Sequence, residues 1–212
     1  MGESENMAVS ADLVRRLREI TGAGMMDCKR ALEEAGGDLD MARDLLRTKG
    51  LADAAKRAGK TAREGVIDAY IHLGGKLGVL IEVNCETDFV ANTPEFRALA
   101  HDLAVQVAAH DPWWITRDDV PPEEVERERK LYEAQAHEEG KQDQVIPRIV
   151  DGKMEKSFFK ERVLVDQPFY KDQEGGKTVG EVIAELSSKV GEKVEVRRFA
   201  RFVRGEDGSR NE

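Results

Sequence analysis

Few residues in this 212-residue chain combine the type and the spacing that chemistry needs. Four histidines and two cysteines, Cys28 and Cys85, are scattered without the paired spacings that hold a metal. His72 lies in a stretch that alternates like a strand and reads as an outward side chain rather than a general base. Cys28 and Cys85 each fall in an apolar stripe and read as core. Acidic side chains are abundant, but no carboxylate pair stands in an apolar setting, so they read as solvated faces. GGK at 74–76 offers glycines and a lysine, yet neither G-x-x-x-x-G-K-[ST] nor G-x-G-x-x-G occurs, and a turn is the simpler reading. RRFARFVR at 197–204 interleaves bases and aromatics as a nucleic-acid platform does. The same string fits an ordinary strand with Phe inside and Arg outside. These residues assign no catalytic group, no metal and no cofactor.

Two apolar residues resist a purely structural reading. Met26 is one place out of step with the stripe of its helix and shares a polar face with Asp27, Lys29 and Arg30. A flexible thioether there suits a partner contact, although isolated exposed apolar residues are common. Phe89 sits in ETDFVANTPEF, in a polar turn between an apolar strand and a helix. It could fold inward as a staple or stand outward as the kind of rigid aromatic that anchors interfaces.

The elements around these residues can be read from period and punctuation. Leu13, Val14, Leu17 and Ile20 share one helical face, TGAG breaks the chain, and Met25, Cys28, Leu32 and Ala35 give a second stripe. Asp38 caps a third helix carrying Leu39, Ala42, Leu45 and Leu46. Residues 1–50 therefore form a three-helix module and 51–65 a basic linking helix. From 66 the period changes. GVIDAYIHL and KLGVLIEVNCE alternate around Gly74-Gly75 as an antiparallel hairpin, with Leu77, Val79, Ile81, Val83 and Cys85 on one face. Thr93-Pro94 opens a helix with Phe96, Leu99, Leu103 and Val107 inward. A charge-dense helical insertion follows at about 121–142. Thr178 and Glu181 form a capping box, and EKVEVRRFARFV is a last strand whose alternation falters at Arg197-Arg198, which permits a bulge. Residues 66–204 are thus an α+β core, a small antiparallel sheet packed with helices, and 205–212 a disordered tail.

Composition narrows the setting. The chain is 35% charged and 40% hydrophobic with a net charge of −9, which disfavours unspecific nucleic-acid binding. No run spans a bilayer and no leader is recognisable, so no membrane role and a cytoplasmic location are expected.

TGAGMMDCKRALEEAGGDLDMARDLLR and IEVNCETDFVA, in that order, strongly resemble the elongation factor Ts family. VLVDQPFYKD, KTVGEVIAEL and EKVEVRRFARF extend the resemblance over nearly the whole chain. The resemblance implies a ubiquitin-associated-like N-terminal module, one core domain, and a role as non-covalent guanine-nucleotide exchange factor for the GTPase elongation factor Tu. It implies that Phe89 is pushed into the GTPase as a wedge, that Asp88 caps or holds the turn, and that Thr87 and Val90 support it. Mg²⁺ and phosphate binding then loosen and GDP leaves. It also implies a second contact through Thr21, Gly22, Met25 and Met26, and, as for other compact members, a homodimer. Two other classes remain open to the residues themselves: a binding module whose three helices capture a peptide or ubiquitin-like partner, and a hydrolase using His72 or the acidic surface.

Overall fold

A computed structural model describes residues 9–172 and 176–206. Most of the tail expected to be disordered, from 207 on, lies outside the described residues. The chain opens with three helices, α1 (Ala11–Thr21), α2 (Met25–Glu34) and α3 (Leu39–Arg57). Ser10 and Asp38 cap α1 and α3 by accepting the Leu13 and Met41 amides. Val14, Leu17, Cys28, Ala31, Leu32 and Ala42 close a small core among them, which fits the ubiquitin-associated-like module. Ile20 departs from the expected stripe and is exposed, because α1 ends one residue later and its last turn overhangs that core.

Among the described residues there is no separate linking helix. The stretch expected at 51–65 is the continuation of α3 to Arg57, followed by a turn and a strand that begins at Glu64. Gly50, which could have broken the helix, lies buried inside it, its α-carbon turned toward the Ser188 side chain.

Three antiparallel strands follow: β1 (Glu64–Ile71), β2 (Leu77–Cys85) and β3 (Glu195–Val203), with β2 central. The β2–β3 register slips between Glu82, opposite Arg198, and Val83, opposite Val196. Arg197 is therefore the extra residue of a bulge. On one face Val79, Ile81, Val83 and Cys85 meet Phe96, Leu99, Leu103 and Val107 of α5 (Pro94–His110). Val179 and the half-buried Val182 and Leu186 of α9 (Val179–Val190) complete that core. The other face is open. Ile67, Ile71, Leu80 and Phe202 are all exposed there. The pairing lines up Ile71, Gly78 and Phe202 in one row and Ala69, Leu80 and Ala200 in the next. The last strand does not simply hold Phe inside and Arg outside. Phe199 packs on the core while Phe202 is 67% exposed, since residues three apart on a strand face opposite ways.

The middle is more than a solvated helix. α6 (Pro122–Glu138) folds back on α7 (Ile146–Lys153) and a π-helical turn at Met154–Phe159, which runs on into α8 (Lys160–Arg162). Ile146, Val150, Met154 and Phe158, four residues apart, join Val120, Ala136 and Val163 in a third core. Trp114 borders it, while Trp113 lies under the Arg162 guanidinium at 4.0 Å.

Gly65, the second residue of β1, has φ 151°. A Cβ there would collide with the Val83 carbonyl oxygen and lie 2.8 Å from the Asn84 α-carbon. Gly65→Ala should therefore lower unfolding stability by about 2 kcal/mol, combining backbone strain and overpacking. Urea denaturation checks this, and an unchanged midpoint would show that the close approach is relieved without cost.

Candidate functional site

β2 ends at the buried Cys85, and the chain turns through Glu86 and Thr87 into one turn of helix, α4 (Asp88–Ala91). This short helix is absent from the sequence reading. Its orientation follows from what each position buries. Ala91 is buried and Val90 packs half-buried against the main core. Successive residues of a helix point about 100° apart, so with Val90 and Ala91 inward Phe89 must project. The residue is 82% exposed, whereas Phe96, seven residues on, is 0% exposed in the core. Of the two orientations open to Phe89, the structure has the outward one.

The turn is held from several sides. Thr87 is the N-cap, its hydroxyl oxygen accepting the Val90 amide at 3.5 Å. The same hydroxyl donates to the Glu192 carboxylate at 2.6 Å. The amides of Glu86 and Thr87 also donate to Glu192, at 3.1 and 3.0 Å. In return the Glu86 carboxylate accepts the Lys193 amide at 2.6 Å and the Lys60 ammonium at 2.9 Å. The Lys60 hydrogen bond and then the Lys193 amide hold the Glu86 carboxyl below the usual carboxylate range. The Cys85 thiol donates to the Thr87 carbonyl at 3.1 Å. Burial pushes that thiol up to about 11, with the Glu192 charge adding to the effect, so it stays protonated as a donor. Asp88 does not cap the helix as expected. Thr87 takes that role, and Asp88 stands exposed at the first helical position, its carbonyl accepting the Asn92 side-chain amide at 2.9 Å.

The second expected group lies on the three-helix module. Gly22 closes α1 with a left-handed φ of 67°, its amide donating to the Arg18 carbonyl. Thr21 is half-buried and spends its hydroxyl internally, donating to the Leu17 carbonyl at 2.7 Å and accepting the Ala23 amide at 3.3 Å. It shapes the turn. Met26 projects as expected and is 64% exposed. Met25, expected in the buried stripe, is 56% exposed. As the first residue of α2 it precedes the turn that Cys28 and Leu32 bury. The result is a pair of adjacent exposed thioethers. Asp27 beside them is tied to Lys49 of α3 at 2.5 Å and to Arg30 at 2.8 Å, and its carboxyl is held low mainly by the Lys49 hydrogen bond.

Thr87, Asp88, Phe89 and Val90 thus come together in one turn, and Thr21, Gly22, Met25 and Met26 in another, on separate lobes. The lobes meet where α3 lies along α9. Two of the three Arg47 guanidinium nitrogens, Nε and Nη2, donate to one Glu181 oxygen, at 2.9 and 2.5 Å, while the other oxygen completes the capping box with the Thr178 amide at 2.9 Å. No local pattern marks Glu192, which reaches a turn 106 residues away. Among the described residues no group of His, Cys, Asp and Glu is arranged to hold a metal ion.

Comparison with known proteins gives a consistent picture. The family model described as Elongation factor TS matches residues 54–175, a stretch that includes the Phe89 turn. The chain is 56% identical over 198 residues to an elongation factor Ts from Caldanaerobacter subterraneus subsp. tengcongensis, covering 93% of this chain and 98% of the relative. It is 55% identical to one from Syntrophomonas wolfei subsp. wolfei, covering 93% and 91%. It is 52% identical over 204 residues to one from Carboxydothermus hydrogenoformans, covering 96% and 93%.

The contrast between the two phenylalanines is testable without a partner. Phe89→Ala should change unfolding stability by no more than about 0.5 kcal/mol, as for an exposed side chain. Phe96→Ala should cost about 3–5 kcal/mol. Chemical denaturation of both variants checks this, and a large loss on Phe89→Ala would place that ring in the core.

Proposed function

The chain belongs to the elongation factor Ts family, and we propose that it acts as guanine-nucleotide exchange factor for elongation factor Tu in translation elongation. In this reading Phe89 enters the GTPase, its hold on Mg²⁺ and the nucleotide phosphates loosens, and GDP leaves. No bond is made or broken on this chain, and its action is cytoplasmic, without membrane or direct nucleic-acid contact. The observation that carries the reading is the exposed Phe89 ring on a turn tied down by its own neighbours. A large aromatic left in water at one fixed place is a preorganised anchor for another protein.

Magnitudes call for a second contact. A thousandfold acceleration of release lowers its barrier by roughly 4 kcal/mol. Burying one Phe side chain yields about 1.5–3 kcal/mol, before any cost of distorting the partner. Met25 and Met26, adjacent and exposed on the other lobe, supply adaptable apolar surface for the shortfall. Both contacts must favour the distorted GTPase over its nucleotide-filled form, because equal affinity for both shifts nothing.

The same reading includes a homodimer, with the open sheet face as its seam. Ile67, Ile71, Leu80 and Phe202 form an apolar surface on three paired strands, bounded at the Ile67 end by the Glu82–Arg198 ion pair at 2.7 Å. A self-complementary sheet-on-sheet contact would remove this surface from water.

Release of labelled GDP from purified elongation factor Tu tests the function. The chain should accelerate release, and Phe89→Ala should reduce that acceleration by about 10–100-fold, the kinetic equivalent of losing one buried Phe. Binding without acceleration would support a capture module instead. Solution mass tests the dimer. Twice the chain mass is expected for the unmodified protein, and a single chain mass for Phe202→Glu. A single-chain mass without substitution would refute the dimer and leave the exchange reading standing.

A further inference from the structure

We propose that Glu192, in the loop between α9 and β3, is a positioning residue for exchange. Its carboxylate clamps the turn that carries Phe89 and so fixes where the ring stands. The inference rests on the exchange reading and adds to it a residue outside both expected contact groups.

The geometry is that of a clasp closed from both ends. One carboxylate oxygen takes the Glu86 and Thr87 amides, and the other takes the Thr87 hydroxyl. The roles also reverse: the Glu86 carboxylate takes the amide of Lys193, the residue after Glu192. Glu192 is itself held. Gly191 ends α9 in a left-handed conformation, and the buried Ser187 hydroxyl donates to the Glu192 carbonyl at 2.6 Å. A chain of short contacts therefore runs from the C-terminus of α9 through Glu192 to Thr87, two residues before Phe89.

Such a clamp has a physical reason to exist. One turn of helix is too short to persist on its own. A ring on a wandering turn would have to be ordered during binding, at the expense of the contact it makes. Charged acceptors bind amide and hydroxyl donors more strongly than neutral ones do, and here one carboxylate satisfies three donors of a two-residue segment. Glu192 reaches Phe89 only through the backbone of Thr87 and Asp88, so its effect on exchange should vanish when the ring is absent.

A double-mutant cycle tests this. Glu192→Ala should slow stimulated GDP release from elongation factor Tu by about tenfold in the unmodified background and by less than twofold in the Phe89→Ala background. Glu192→Gln, which keeps acceptor oxygen but loses charge, should fall between. Amide hydrogen exchange on the isolated chain supplies a second readout. Glu192→Ala should speed exchange at Glu86, Thr87 and Val90 by about tenfold or more while Val79, Ile81 and Val83 of β2 keep their protection. An equal loss in both backgrounds would mean that Glu192 acts by general stability or by touching the partner, and would overturn the proposal. So would unchanged release by Glu192→Ala, or unchanged amide exchange at the turn. Failure of the unmodified chain to stimulate release would sink the exchange reading and this role together. The amide readout would then still show whether the clasp holds the turn.

Discussion

A single turn of helix does not hold itself, and Phe89 stands on one. The exchange proposed for this protein depends on the constraint that keeps that turn folded while its largest side chain faces water. Below it, Val90 and Ala91 are pinned to the core of β2 and α5. Ahead of it, Thr87 caps the helix and is bound through its amide, hydroxyl and carbonyl. Packing sets which way the turn faces, and hydrogen bonding sets where it begins. With both in place the exposed orientation of the ring is the one available to it, since an inward ring would displace Val90 or Ala91.

α9 connects this turn to the rest of the molecule. Its first turn carries Glu181, which pairs with Arg47 of the three-helix module, and Glu192, two residues past its end, grips the Phe89 turn. A helix of 12 residues spans roughly 18 Å. α9 therefore acts as a strut between the lobe with Met25 and Met26 and the lobe with Phe89. Gly50 of α3 lies buried along it beside Ser188. A strut of this kind lets two modest apolar contacts act on one partner at a set spacing.

Much of this was legible in the residues. The alternation of Val79, Ile81, Val83 and Cys85, the caps at Asp38, Thr93 and Thr178, and the bulge at Arg197 are local signals, and each appears where its chemistry placed it. Features set by distant partners were not legible. Ile67, Ala69 and Ile71 are as apolar as Val66 and Tyr70, so alternation alone could not say which side of β1 meets α5. Met25 fits the stripe of α2 by period, and only the position of the helix start exposes it. Gly50 carries a helix-breaking signal that contact with α9 overrides. Exposure of Phe89 needs the knowledge that Val90 and Ala91 are the inward residues, and the Glu192 clasp leaves no trace in sequence spacing.

The central claim is that the Phe89 ring binds one state of its partner better than another, which is stronger than saying that it binds. Affinity of the chain for nucleotide-free and for GDP-filled elongation factor Tu, measured with and without Phe89→Ala, addresses it most directly. The account predicts that the unmodified chain strongly prefers the nucleotide-free form and that removing the ring erases most of that preference, by linkage between the two ligands. Equal weakening toward both forms, with the preference intact, would show that the ring is an anchor and not a wedge, and would contradict the account.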